Sequence, residues 1–202
     1  MTAHPFLPGR LAESELSDIR RTWPVSASHS KYASPYVSLD IDTIVDPQGE
    51  EHARAVVRPN DAVGVVAIDA DDRLLLVEQY RHPVGHRMLE IPAGTLDIEG
   101  ESPYDAAIRE LAEETDIIAA EWAPMLELCA TPGYSTERWH VFRASQLTPV
   151  PDAERTTRVA EEADMTQWWL PFDQAVEAVL AGRVTDSMTV SAILAAQVLR
   201  SR

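Results

Sequence analysis

The sequence predicts an α/β fold: a mixed sheet covered by helices on both faces, with a β arm ahead of it. Three observations carry this. Two apolar strands, Ala62 to Ile68 (AVGVVAI) and Leu74 to Tyr80 (LLLVEQY), stand on either side of a turn at Asp69 to Asp72. Three amphipathic helical stretches are interleaved with further strands. The chain has 202 residues, 45% of them apolar and 25% charged, which suits one soluble domain with a sizeable core.

Taken in order, residues 1–33 are mixed and Ser-rich, with a short helix expected over Glu13 to Arg21. Ser34 to Val57 reads as a hairpin. Val37, Leu39 and Ile41 alternate with polar residues, Asp46-Pro47-Gln48-Gly49 makes the turn, and Ala53 to Val57 returns. Isolated hairpins are marginal, so this arm needs something to pack on. The chain therefore divides into an arm, residues 1–57, and a main domain, residues 58–202. After the two apolar strands come Met88 to Ile91, a helix from Ser102, and strands at Met125 to Ala130 and Trp139 to Ala144, with the loop TPGYSTER between them. Pro149 to Thr157 is a polar loop and Met165 to Leu170 a strand. Helices at Phe172 to Ala181 and Asp186 to Leu199 close the chain, the second capped by Thr185 or Asp186. Its stripe of Met188, Ile193, Leu194 and Val198 reads as core.

Composition narrows the function. Seventeen basic and 33 acidic residues give a net charge of −16, which argues against a nucleic-acid surface and against docking on anionic lipid. A phosphate substrate would need metal ions or a few local arginines. Cys129 is the only cysteine, so no intramolecular disulfide and no Cys zinc site is expected; its apolar surroundings suggest a buried thiol. No apolar run approaches about 18 residues and no signal-peptide pattern opens the chain, so a cytoplasmic protein is expected.

The chemistry concentrates in LEIPAGTLDIEGESPYDAAIRELAEETDI, Leu89 to Ile117. Ser102 suits an N-cap, Pro103 the first helical position and Asp105 the first turn. Tyr104, Ala107, Ile108, Leu111, Ala112 and Thr115 fall on one side. The other side carries Glu110, Glu113 and Glu114. Like charges at i, i+3 and i, i+4 repel by a few tenths of a kcal/mol per pair. Near a helix C-terminus the macrodipole adds roughly 0.3–1 kcal/mol each. A divalent cation would reverse both costs; a solvated acidic face is the plainer alternative. Pro92-Ala93-Gly94 supplies a stiff turn and a glycine that permits close backbone approach.

Together these residues resemble the Nudix box, Gly-x5-Glu-x7-Arg-Glu-hydrophobic-x-Glu-Glu-x-Gly-hydrophobic. Glu101 through Ile117 match in spacing, except that Asp116 stands at the glycine position, and one extra residue separates Gly94 from Glu101. Glu78-Gln79-Tyr80-Arg81, Glu90 to Gly94, and Pro132 to Glu137 are similar to the ADP-ribose pyrophosphatase branch of that family, as is the segment Glu161 to Met165. The likeness runs from about residue 32 to the end.

The resemblance implies a Nudix α/β/α sandwich and a Mg²⁺-dependent hydrolase, with Mn²⁺ as the alternative metal, acting on a nucleoside diphosphate sugar, ADP-ribose first. It implies metal ligation by Glu110, Glu113, Glu114 and the carbonyl of Ala93. Arg109 would orient the glutamates. Glu161 or Glu162, with Glu162 preferred, would be the general base. Arg81 would contact phosphate and Glu137 the terminal ribose, with Arg54 and Arg58 as further substrate contacts. A homodimer formed through the N-terminal arm is implied as well. Tyr134 and Trp168-Trp169 offer faces for adenine, although the tryptophans suit core or interface packing better. His82, His86 and His140 form no convincing base constellation. The rival readings are a Nudix enzyme for GDP-mannose, NADH or FAD, and a non-hydrolytic ligand sensor on the same fold.

Overall fold

A computed structural model describes residues 3–158 and 163–201. The arm is a three-stranded antiparallel sheet in the order β1 (Val25–Ala33), β2 (Val37–Val45) and β3 (Glu51–Pro59). The sequence-based reading had only the last two strands, and it placed a helix where residues 13–21 have no regular structure. β1 (VSASHSKYA) is exposed along almost its whole length. It is held by backbone pairing with β2, so it carries no apolar alternation to read. Leu16 and Ile19 are exposed, and a helix this short is marginal without a buried face.

The main domain is built on β4 (Ala62–Ala67). It pairs antiparallel with the short β7 (Ala93–Thr95) and parallel with β9 (Arg138–Pro149), which pairs in turn with β8 (Ile117–Cys129). A second sheet sets β5 (Arg73–Arg81) between β10 (Thr166–Pro171) and β6 (His86–Glu90). Alternate residues of β4 face opposite layers. Val63, Val65 and Ala67 pack with Ala106, Ala107 and Leu111 of α1 (Pro103–Thr115). Ala62 and Val66 pack with Phe172, Ala175 and Val179 of α2 (Phe172–Leu180), and with Met188, Ala192 and Ile193 of α3 (Ser187–Arg200). Every residue of β4 is buried, the mark of a central strand covered on both sides. This is the expected sandwich with a mixed sheet.

Local chemistry sets the helix starts. Ser102 Oγ accepts from the Asp105 amide at 3.1 Å, and Asp186 accepts from the Thr189 amide at 2.8 Å. Thr189, itself buried, accepts from the Ile91 amide at 3.0 Å. That bond fixes the start of α3 against the turn at Pro92.

One expectation fails on burial and another is narrowed. Cys129 is exposed, because along β8 it shares the outward side with Glu127. Trp168 and Trp169 are 50% and 40% exposed, so they are not core; Trp168 Nε1 donates to Glu78 Oε2 at 3.0 Å. Among the described residues no helix is long and apolar enough to cross a membrane.

Candidate active site

The face of α1 that carries the glutamates is not a solvated face. Glu110 is 8% exposed and Glu114 4%, while Tyr104 on the expected apolar side is 44% exposed. The helix rolls its carboxylates inward against β7. Glu114 Oε2 accepts from the Ala93 amide at 2.9 Å. Glu110 lies against Gly94 so closely that a Cβ added there would be 2.0 Å from its carboxyl carbon. The glycine serves approach of backbone to this carboxylate, rather than a left-handed turn.

Arg109 ties the group together. Its Nε and Nη2 grip the Glu101 carboxylate at 3.0 and 2.9 Å, and Nη1 reaches Glu110 at 2.7 Å and Glu113 at 3.1 Å. The extra residue ahead of Glu101 does not prevent this. The connection turns at Gly100 (φ +83) and delivers Glu101 to the guanidinium. The Arg109 pairing holds Glu101 below the ordinary carboxylate range. The same hydrogen bond leads in keeping Arg109 protonated. Burial pushes Glu110 up, against the pull of Arg109. A bound cation would reverse that shift and displace any proton, so metal affinity should fall in acid.

Ala93, Gly94, Arg109, Glu110, Glu113 and Glu114 line an open cleft of about 730 Å³. Its other walls come from three segments distant in sequence. Gln79, Arg81 and Glu90 stand on β5 and β6, Glu137 and Trp139 at the start of β9, and Asp186 and Met188 at the start of α3. Glu90 is buried and takes Arg81 in a fork, Nε to Oε1 at 2.9 Å and Nη2 to Oε2 at 2.6 Å, while Gln79 donates to Oε2 at 3.2 Å. That hydrogen-bonded pair raises the Arg81 pKa. Trp139 Nε1 donates to Glu137 Oε1 at 2.9 Å and so orients it. Glu90, Gln79 and Asp186 were missed as wall residues. The capping position of Asp186 was legible, but its place in the cleft was not.

The remaining candidates fall elsewhere. Arg58 lies between Asp40 (2.9 Å) and Asp42 (2.6 Å) on the arm, and Arg54 bonds the Ala53 carbonyl at 2.8 Å; neither lines the cleft. The arm does touch the site's border. Val57 donates to the Tyr134 carbonyl at 2.8 Å and accepts from Thr136 at 3.0 Å, joining β3 to the loop before Glu137. Glu161 and Glu162 lie outside the described residues. Asp46, Glu50 and His52 approach within 4.8 Å of one another, but they sit at the β2–β3 turn, apart from the cleft.

The cleft's electrostatics decide what it can hold. Seven carboxylates (Glu90, Asp97, Glu110, Glu113, Glu114, Glu137 and Asp186) face two guanidiniums, both already engaged by glutamates. Hard oxygen donors gathered around one turn of helix suit a small divalent cation, and Ala93, whose amide bonds Glu114, lines the same cleft. The donor set therefore fits the implied metal, with Glu110, Glu113, Glu114 and Ala93 as the residues that would hold it.

Residues 58–188 match the NUDIX domain. The chain belongs to the Nudix family. It is 37% identical over 171 residues to an ADP-ribose pyrophosphatase of Mycobacterium tuberculosis, an alignment covering 84% of this chain and 80% of the relative. It is 32% identical over 162 residues to a methanol dehydrogenase activator of Bacillus methanolicus, covering 80% and 85%. A crystal structure of an ADP compounds hydrolase superposes with a TM-score of 0.74 at 20% identity, covering 90% of this chain and 95% of that one, a likeness of fold. Nudix hydrolases are metal-dependent, in keeping with the donor set.

One consequence is open to test at Arg109. Its replacement by alanine releases Glu101, Glu110 and Glu113 together, and loss of such an orienting contact costs about 10–100-fold in activity or metal affinity. Steady-state rates across a Mg²⁺ titration read this. Arg109→Lys should recover little, because one ammonium cannot replace the fork on Glu101. Wild-type rates at all metal concentrations would remove the orienting role.

Proposed function

We propose that this chain hydrolyses the pyrophosphate bond of ADP-ribose, or of a closely related nucleoside diphosphate sugar, to AMP and a sugar phosphate, with Mg²⁺ as the metal. The carrying observation is the cleft itself: buried Glu110 and Glu114 beside the Ala93–Gly94 turn, in a surplus of carboxylates that repels a diphosphate until cations are bound. The name of the M. tuberculosis relative supports ADP-ribose as the substrate.

Bound metal would neutralise the diphosphate and stabilise the charge that develops as the bridging P–O bond breaks. The chain's own groups do the rest. Arg109 keeps Glu101, Glu110 and Glu113 in place. Arg81, whose Nε and Nη2 are engaged by Glu90, would offer Nη1 to a phosphate oxygen. Glu137, oriented by Trp139, accepts hydrogen bonds from the terminal ribose diol. Glu162, or its neighbour Glu161, takes a proton from the water that attacks phosphorus; the box glutamates, committed to metal, are poor bases for this. The new P–O bond forms to that water and the old one leaves with the second phosphate.

The proposal includes a homodimer through residues 1–57, with residues 58–202 as the hydrolase domain. Leu39 and Ile41 of β2 lie opposite Val57 and Ala55 of β3, forming an apolar row, and the helices pack on the other sheets. Arg54 and Arg58 would reach substrate only across such an interface. A cytoplasmic setting accords with one unpaired cysteine.

Incubation of purified protein with ADP-ribose and Mg²⁺, followed by product separation, tests the reading; AMP and ribose 5-phosphate are expected. A parallel panel of GDP-mannose, NADH and FAD checks the choice of substrate. Preference for one of these overturns ADP-ribose, and no turnover of any overturns the hydrolase.

A further inference from the structure

The turn at Pro92 brings main chain to the carboxylates, and three elements hold it. The Ile91 amide donates to Thr189 Oγ1 of α3 at 3.0 Å. The Pro92 carbonyl accepts from the Val65 amide of β4 at 2.8 Å, and the Ala93 amide donates to Glu114 Oε2 of α1 at 2.9 Å. Ile91 and Pro92 are buried, while Ala93 is half-buried and lines the cleft. The turn therefore climbs from the core to the carboxylates within three residues. Of its three partners, Thr189 is the remote one, 98 positions from Ile91 in sequence.

Thr189 is an unexpected residue for its place. Among the described residues of α3 it is the one buried polar side chain, in the company of Met188, Ala192, Ile193 and Ala196. Valine has the same shape and no hydroxyl to take out of water. What threonine adds is an acceptor, without which the buried Ile91 amide would stand unpaired. The threonine is itself fixed. Its amide donates at 2.8 Å to Oδ2 of Asp186, which caps α3 and lines the cleft.

We propose that Thr189 is a positioning residue for the metal site. Its hydroxyl oxygen seats the Ile91 amide so that Ala93 meets Glu114, and this raises affinity for the cation that Ala93 and the box glutamates would hold. The inference rests on the metal assignment in the function proposed above, and not on the choice of substrate. Outer contacts of this kind are typically worth about 10–100-fold in metal affinity.

Thr189→Val removes the acceptor and keeps the shape. Titration of the purified chain with Mn²⁺, followed by the EPR signal of the free ion, should show affinity about tenfold weaker than wild type. Thr189→Ser keeps the hydroxyl and should bind Mn²⁺ within about twofold of wild type, although the lost methyl lowers its melting temperature. Ile193→Val loosens the same helix one turn further on and should also stay within about twofold. A valine variant that binds as wild type does, a serine variant that falls as far as valine, or an equal fall in Ile193→Val overturns the positioning role and leaves Thr189 serving the fold alone.

Wild type supplies a test that needs no variant to fold. Coupling is reciprocal, so a bond that tightens metal binding about tenfold is itself strengthened about tenfold by bound metal. Saturating Mg²⁺ should slow hydrogen exchange at the Ile91 amide, read by NMR, about tenfold. Unchanged exchange overturns the proposal. Turnover enters neither measurement. Weaker Mn²⁺ binding in Thr189→Val alone, with no hydrolysis of any sugar nucleotide by wild type, supports the positioning role and sinks the hydrolase reading. Wild type that binds no Mn²⁺ overturns the metal assignment and the positioning role with it.

Discussion

Glu114→Gln lowers kcat by at least about a hundredfold while the protein stays folded, since loss of a proposed metal ligand should exceed the 10–100-fold typical of outer contacts. The two halves of this expectation have separate causes. Glu114 is 4% exposed, and one of its oxygens accepts from the Ala93 amide. Glutamine has the same shape, and its amide oxygen can accept the same bond, so the junction of α1 and β7 survives. The negative charge does not. With Mg²⁺ present, wild type should gain stability that the variant gains less of. Turnover and melting curves, each with and without metal, read both halves. Undiminished kcat would falsify the assignment of Glu114 to the metal.

The second large effect is expected at Gly94. An alanine Cβ there would stand 2.0 Å from Cδ of Glu110 and 2.2 and 2.3 Å from its two oxygens, well inside contact distance. Either the Glu110 carboxylate swings away or β7 parts from the helix. Both outcomes separate Ala93 from the glutamates and should abolish metal-dependent turnover. Gly64→Ala is the control. Its Cβ would meet Met188 Sδ at 2.5 Å and Ile91 Cδ1 at 2.8 Å, which overpacks the core beneath the site without touching a carboxylate. Such overpacking costs typically about 1–3 kcal/mol of stability. Gly94→Ala should thus lose activity out of proportion to stability, and Gly64→Ala the reverse. Denaturant titration beside steady-state rates separates the two. Equal ratios of activity loss to stability loss would show that the glycine at 94 serves packing alone.

The sequence determined what is local. The helix over Pro103–Thr115, its Ser102 cap, the spacing of Arg109, Glu110, Glu113 and Glu114, and the family itself all follow from side chains within a few turns of one another, where helical geometry fixes neighbours. The central strands were legible too, because a strand buried on both faces is a short apolar run. β1 was illegible, since backbone pairing with β2 holds it and no apolar face marks it. Cys129 was misread because an apolar stretch does not reveal which side of β8 faces out. Only the tertiary structure decided that Glu110 and Glu114 turn inward, that Glu101 reaches Arg109 across an extra residue, that Glu90 takes the fork of Arg81, and that Arg158 closes on Asp116. The last three are pairings across 8, 9 and 42 positions. Such partners are chosen by where the sheets place the chain, and no periodicity in the sequence encodes that choice.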